Sequence, residues 1–434
     1  MMRLDRRAVV QVSVGALLLA LFFLPRMASA GGLFLNEIGT NDVGLAGAGW
    51  AARAQDASTL FRNPAGMSFL EGNQAMFGAQ ILYGDVKFTN GGSSSFLGTG
   101  NGGNPIDVFP AASGFYTHKI GQDFTVGFGV LSNFGLGLQY TGGNWIGRYY
   151  GQNELLAGVS FVPAASYRVN DKISVGGGLN IMVAELKYIT AINNGPLGSG
   201  DGSIRLQDVT AGVGGFVGVM VEPQKGTRLG VTYYSPIKLD FGATPSYNNV
   251  APGVNAVLTA RGLVGNKVDL GITVPQRVLV SVYHELTDRL AVMGDFGWDN
   301  WSQFGKVDVS VSDTQTSLTT NIPYQDTYHT GIGAQYRLNP DWRINTGFGY
   351  DSSMVKDQNR TVTLPVGATY KYGLGAEWQA TEKYNIGMNY ELTWIGDMPV
   401  NQTAILPGSV FSRGNVVGGF NNSAFHFFSF NVRF

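Results

Sequence analysis

Polar and apolar residues alternate along most of this chain with a period of two. Trp342, Ile344, Phe348 and Tyr350 are interleaved with Arg343, Asn345, Gly347 and Gly349. Tyr372, Leu374, Ala376 and Trp378 alternate with Lys371, Gly373, Gly375 and Glu377. Tyr384, Ile386, Met388, Tyr390 and Leu392 alternate with Asn385, Gly387, Asn389 and Glu391. Successive side chains of a strand point to opposite faces, so each segment predicts a strand with one apolar and one polar face. Strands of soluble sheets usually run about 5–6 residues. These run nearer ten, the length that a tilted strand needs to cross a membrane.

The connections between them fall into two kinds. Short turns are expected at Lys119–Asp123, Val169–Lys172, Glu222–Thr227, Glu285–Asp288, Leu338–Asp341 and Ala380–Lys383. Long, polar or glycine-rich loops are expected at 89–105, 137–152, 190–203, 243–265, 312–322, 351–365 and 395–421. Six short and seven long connections alternate and join fourteen strands. An even count puts both ends of the barrel on the short-turn side, expected to be periplasmic, with the long loops outward. Closure is required because an open sheet edge in lipid leaves backbone groups unpaired at several kcal/mol each. The fold class expected is therefore all-β: an antiparallel transmembrane β-barrel over 73–434. Tyr350, Trp378, Tyr384, Trp298, Trp301 and Tyr233 fall near strand ends and are assigned to interfacial girdles. The closing run Phe428-Ser429-Phe430-Asn431-Val432-Arg433-Phe434 alternates and ends on Phe, like bacterial outer-membrane barrels in general.

Composition sharpens this picture. The 434 residues include 62 Gly, no Cys and 14% charged residues, and the formal net charge is -1. Glycine is thus about twice its usual ~7% share, and charge lies well below the usual ~25%. Near-neutral charge argues against a nucleic-acid partner. Without Cys, disulfides and thiolate metal sites are excluded. Mean hydropathy is +0.03, as expected of a barrel whose lipid-facing residues alternate with polar ones.

Residues 1–30 read separately. Arg3, Arg6 and Arg7 precede an apolar run from Ala8 to Leu24, and Ala28-Ser29-Ala30 has the small-x-small form of a cleavage site. A signal peptide cut after Ala30 is expected. Residues 31–72 do not alternate. Thr40–Ala57 is rich in Gly and Ala, which suits short, closely packed helices, and Asn63-Pro64-Ala65-Gly66 makes a turn. This stretch is expected to plug a lumen that fourteen strands would otherwise leave open.

The chemistry points away from catalysis. The four histidines, His118, His284, His329 and His426, have no accompanying nucleophile motif. Asp295, Asp299, Arg343, Lys371, Glu377 and Glu391 face inward and are assigned to a wet lumen wall. No phosphate-loop motif is present, and neither enzyme activity nor a cofactor or metal is expected. A general porin and an adhesin are the rival readings.

Several motifs carry a family resemblance. Gly32-Leu33-Phe34-Leu35-Asn36-Glu37, Gly44-Leu45-Ala46-Gly47-Ala48-Gly49, Asp56-Ala57-Ser58 and Arg62-Asn63-Pro64-Ala65-Gly66 resemble the N-terminus of the outer-membrane long-chain fatty acid transporters, the FadL family. Leu131-Ser132-Asn133-Phe134-Gly135-Leu136, Trp301-Ser302-Gln303-Phe304, Asp326-Thr327-Tyr328 and Asp357-Gln358-Asn359-Arg360 extend the resemblance over the mature chain. It implies a monomeric fourteen-stranded barrel with an N-terminal hatch. It implies capture of a hydrophobic substrate among outer loops, transfer to an apolar pocket near the hatch, and sideways release at a kink in the third strand. Leu33 and Phe34 would form the pocket, with Phe134 beside it. Leu136, Leu138, Trp145 and Ile146 would form the outer groove. Asn133 and Gly135, with Asn63, Pro64 and Ala65, would gate the path. Some carriers of this family place a Lys just before the Asp-x-Tyr of the tenth strand, where this chain has Gln325. A neutral amide binds a carboxylate more weakly than a cation does. A neutral aromatic or aliphatic hydrocarbon therefore stands beside a fatty acid as the expected ligand. Outer-membrane lipid is the other partner expected.

Overall fold

The computed structural model describes residues 32–311, 320–403 and 413–434. The expected signal peptide lies outside these residues. Fourteen antiparallel strands close into one barrel. They are β1 Gln74–Asp85, β2 Asp107–Ile120, β3 Phe124–Gln139, β4 Asn153–Asn170, β5 Ile173–Ile192, β6 Gly202–Gln224 and β7 Thr227–Tyr234. After a long excursion follow β8 Arg277–Glu285, β9 Leu290–Asp299, β10 Thr327–Arg337, β11 Trp342–Asp351, β12 Thr369–Gln379, β13 Asn385–Gln402 and β14 Val416–Arg433. Each strand pairs with its sequence neighbour, and β1 closes the ring on β14 from Met76↔Arg433 to Asp85↔Ala424. No sheet edge is thereby left open around the ring except at the window described below.

The alternation has its structural counterpart in burial. On β12, Lys371 and Glu377 are buried in the lumen, whereas Tyr372 and Leu374 face outward. Among the described residues no helix is long and apolar enough to cross a membrane, so the crossing is made by strands.

Two sequence expectations need correction. The loop expected at 395–421 is mostly strand: β13 runs on to Gln402 and β14 begins at Val416. Bulges between Trp394 and Gly396 and between Gly396 and Met398 interrupt the alternation there, which is why the pattern read as loop. Trp301 is not a girdle residue. It is fully buried in a short 3₁₀ helix, Trp301–Gln303, that follows β9. The excursion between β7 and β8 also carries structure of its own. Strands Ile237–Ala243 and Val268–Val274 pair with each other, and Lys306–Val311 joins them. The helix Pro252–Ala260 lies between the first two.

Residues 36–70 lie inside the ring, nearly all buried. They form three short helical turns, Val43–Leu45, Thr59–Arg62 and Pro64–Phe69. Wall glycines let their backbone come close. A side chain at Gly218 would collide with Asn63, and one at Gly347 with the Leu45 carbonyl. Asn63 donates to the carbonyls of Ala51 (2.7 Å) and Val219 (3.1 Å), and its side-chain oxygen accepts from the Ala65 N–H at 3.2 Å. An Asn-Pro-Ala turn thus caps its own helix and bolts it to β6.

Polar groups sealed in this way must find partners. Arg53 pairs with Asp42 at 3.1 Å and with Asp56 at 2.6 Å, and Arg62 pairs with Asp42. Gln55 is held from four strands. It donates to Tyr283 (3.1 Å) and Gln335 (2.9 Å), and accepts from Arg343 (3.2 Å) and Arg433 (2.7 Å).

Candidate functional site

The third strand holds its outer neighbour over only half its length. β2 and β3 pair from Ile120↔Phe124 to Ser113↔Leu131 and no further. Beyond that point Asn133 is bulged out of the β3–β4 register. Gly135 has φ +151°, and a Cβ there would stand 2.5 Å from the Leu156 carbonyl oxygen. Only glycine takes such a backbone without strain.

The N-terminal segment occupies the place that β2 vacates. Leu35 N–H donates to the Asn133 carbonyl and Gly135 N–H to the Leu33 carbonyl, both at 3.0 Å. Phe34 and Phe134 form an antiparallel bridge with their rings 5.8 Å apart, edge to face. The free edge of β2 carries Pro110, a residue that cannot donate to a ladder and is tolerated at edges. Above it the wall is rejoined by the Gln139 N–H bonded to the Pro105 carbonyl at 2.7 Å. The result is a window, bounded by Phe109–Ala111 on one side and Ser132–Gly137 on the other.

A cavity of about 690 Å³ runs through this window. Inside, Leu33, Leu35, Val366 and Phe425 line it. Outside, it reaches Phe161, Val183 and Val209, and Val209 on the outward face is 58% exposed. Its size is that of an ordinary small-molecule site, and its walls are apolar as such sites are. A smaller space of about 70 Å³ adjoins it through Gly32, Leu35, Pro365, Val366 and Phe425. There Lys371 projects its ammonium, already paired with Glu37 (2.8 Å) and Asp351 (3.0 Å).

The structure sorts the residues that sequence singled out. Leu33, Phe134, Gly135 and Leu136 line the cavity, and Phe34 lines the smaller space beside it. Asn133 sits at the bulge, with its side-chain oxygen accepting from the Ser160 hydroxyl at 3.0 Å. Asn63, Pro64 and Ala65 lie apart from the window, against β5 and β6. Leu138, Trp145 and Ile146 are packed into a core beneath the outer loops with Phe88, Tyr140, Met398 and Phe420. Trp145 stacks on Tyr140 at 4.2 Å and donates its indole N–H to the Gly151 carbonyl. These three are buried rather than laid open as a groove. Gln325 lies just before β10, outside the cavity lining, and its amide donates to the Ser353 carbonyl at 2.8 Å. It precedes the strand, so the alternation that buries Thr327 and His329 does not extend to it.

Three contributors escaped the sequence reading. Pro110 inside a strand-like run was a legible sign of a free edge. Arg277, whose guanidinium lies 4.5 Å over the Phe34 ring, left no sign in the pattern. Neither did Trp301, whose ring lies against Phe34 at 5.1 Å and parallel to Phe134 at 6.5 Å.

A family model for the outer membrane protein transport proteins (OMPP1/FadL/TodX) matches residues 21–434. The chain belongs to that family. It is 28% identical over 406 residues to outer membrane protein P1 of Haemophilus influenzae, covering 84% of this chain and 86% of that one. It is 25% identical over 416 residues to the long-chain fatty acid transport protein of an Escherichia coli strain, covering 87% and 92%. Among solved structures, a FadL homologue of Pseudomonas aeruginosa superposes with a TM-score of 0.82 at 20% identity, over 93% of this chain and 99% of that one. The Ralstonia pickettii toluene transporter TbuX superposes with a TM-score of 0.62 at 19% identity, over 94% and 99%. These superpositions establish a shared barrel fold. A member of the OMPP1/FadL/TodX family, the chain is an outer-membrane β-barrel protein.

Proposed function

We propose that this FadL-family barrel takes up long-chain fatty acids or related hydrophobic compounds passively, and releases them sideways through the window between β2 and β3. The observation that carries this reading is the cavity, lined mostly by apolar residues and reaching from Leu33 in the lumen to Val209 on the lipid face. Residues 36–70, nearly all buried inside the ring, support a sideways rather than an axial exit. Ligand gathers first at the outer loops and then reaches the Leu33–Phe34 region. Each buried CH₂ gains about 0.8 kcal/mol, so a sixteen-carbon tail gains on the order of 12 kcal/mol in a dry site. Return to water would forfeit that gain, whereas passage into lipid keeps it. The flow is downhill and requires no nucleotide.

A second reading, a carrier of neutral aromatic or aliphatic hydrocarbons, is favoured by one feature. Among the described residues lining the large cavity, Glu185 is the only charged one, and it lies on the outward face. Both relatives' names bear on the choice: one similar protein is named a fatty acid transporter and one similar structure a toluene transporter.

Uptake of radiolabelled hexadecanoic acid and of toluene by cells expressing the protein, in a background lacking such carriers, tests the proposal. Uptake of either above the background supports it. Background uptake of both, together with steady ion conductance of the purified protein in planar bilayers, would replace it with a porin.

A further inference from the structure

We infer that the preferred ligand carries an uncharged hydroxyl head, which donates its hydrogen bond to a carboxylate of the smaller space. Long-chain alcohols then bind more tightly than the matching carboxylates. The inference rests on the transport reading above and adds the ligand's chemistry. The smaller space has two kinds of lining. Leu35, Pro365, Val366 and Phe425 are apolar and line the large cavity as well. Glu37, Asp351, Thr369, Lys371 and Thr393 are polar, buried, and line the smaller space alone. A tail lying in the large cavity therefore has one polar recess beside it. At about 70 Å³ that recess suits a head group and not a chain.

The side-chain donors of the recess are largely committed. The Lys371 ammonium holds Glu37 at 2.8 Å and Asp351 at 3.0 Å. The Thr369 hydroxyl donates to Asp351 at 3.0 Å, and the Thr393 hydroxyl to Glu391 at 2.8 Å. Acceptors are in surplus, because each ionised carboxylate offers about four lone-pair sites. Charge points the same way. Among the described residues, Glu37, Asp351, Glu185 and Lys371 are the charged ones lining the two spaces, three carboxylates against one ammonium. Nearby cations bring carboxylates of their own: His329 lies between Asp351 (2.5 Å) and Asp295 (3.2 Å), and Arg277 is paired with Asp299 at 2.9 Å. An ionised acid head would meet this negative excess where burial leaves repulsion poorly screened. A hydroxyl brings no charge and supplies a donor, and its bond to an ionised acceptor is stronger than one between neutral groups. An ester carbonyl can only accept. The acid keeps the burial of its tail in the large cavity and loses only at the head, so it is a weaker ligand and not an excluded one.

The test uses four probes with one chain length: hexadecan-1-ol, hexadecanoic acid, its methyl ester and hexadecane. Each is bound to the purified full barrel in detergent at about pH 9, where the acid is ionised. The wild type is expected to bind the alcohol about tenfold more tightly than the ester or hexadecane, the size of one hydrogen bond to a charged group. It should bind the alcohol at least tenfold, roughly, more tightly than the acid. This ranking needs no variant. Glu37→Gln removes one negative charge and keeps an acceptor oxygen for Lys371. It should narrow the preference for alcohol over acid about tenfold and leave hexadecane unchanged. An acid that binds the wild type as tightly as the alcohol would overturn the inference. So would an alcohol no tighter than the ester, or a Glu37→Gln change that shifts all four probes alike. In each of these cases wild-type binding of the acid or of hexadecane would leave the transport reading standing. Absence of binding by all four would end both.

Discussion

Gly135 on the third strand donates its N–H to the carbonyl of Leu33, 3.0 Å away, at the point where the wall has lost its neighbouring strand. The N-terminal segment thus serves as a short replacement strand that closes the ladder from inside.

Substituting Gly135→Leu forces a side chain against the Leu156 carbonyl and a φ of +151° that carries about 1–3 kcal/mol of strain outside glycine. The kink must flatten, which drives β3 toward β2 and narrows the window. Uptake of labelled hexadecanoic acid is expected to fall at least tenfold, while the barrel keeps its heat-modifiable migration on gels. Wild-type uptake by a folded variant would remove the sideways route.

Leu35 lines both the large cavity and the adjoining space. A Leu35→Lys change places a cation where the described lining has none free. The ratio of affinities for hexadecanoic acid over its methyl ester should rise about tenfold, because an ionised donor binds a carboxylate more strongly than a neutral one. Competition binding of the two ligands measures that ratio.

Arg53 holds both Asp42 and Asp56 within the plug. Arg53→Met removes the cation paired with Asp56 and one of the two paired with Asp42, and breaking one side of a buried pair costs about 3–5 kcal/mol. The plug should loosen while the ring of strands persists. Planar-bilayer recordings are expected to show ion conductance that the wild type lacks, and a quiet trace would mean that the plug stays seated without this network.

Asp326 positions the helix that carries Trp301 by accepting from Ser302 N–H (3.1 Å), Asn300 (2.9 Å) and Trp298 (3.1 Å). Partial burial pushes its carboxyl up, but these donors outweigh burial and hold it below the ordinary value of 3.8. A group depressed in the folded state contributes stability above its unfolded pKa and loses it as pH falls through the folded one. The Trp298 N–H resonance should therefore keep its native shift at neutral pH and move only as the pH falls below the ordinary carboxylate range. Asp326→Asn should abolish that pH dependence. An unchanged pH profile in Asp326→Asn would assign the titration to another group.

Much of the architecture was legible in the residues because a period of two has only one physical meaning in a strand. Lys371 and Glu377 had to share a face, and Tyr372 and Leu374 the other. Short turns such as Leu338–Asp341 then set the strand count. The bulge-ridden hairpin from Gly396 to Ser423 was misread for the same reason, since each inserted residue flips the pattern. At the site, Gly135 and Asn133 could be marked as a bend, and Leu33 and Phe34 as apolar, from their order alone. Gln325 could not be placed, because its partner Ser353 belongs to a different loop.

Local sequence therefore determined the strands, their faces, their number and the plug's small-residue character, all of which depend on neighbours within a few positions. Tertiary structure alone decided that β2 stops pairing at Ser113, that Leu33 and Leu35 fill the gap, and that Trp301 turns inward with its N–H unpaired. Those outcomes join segments roughly 80 to 270 residues apart, from Gly32 to Ser113 and Trp301. Such contacts are set by ring closure and packing of the whole barrel, and no short-range pattern encodes them.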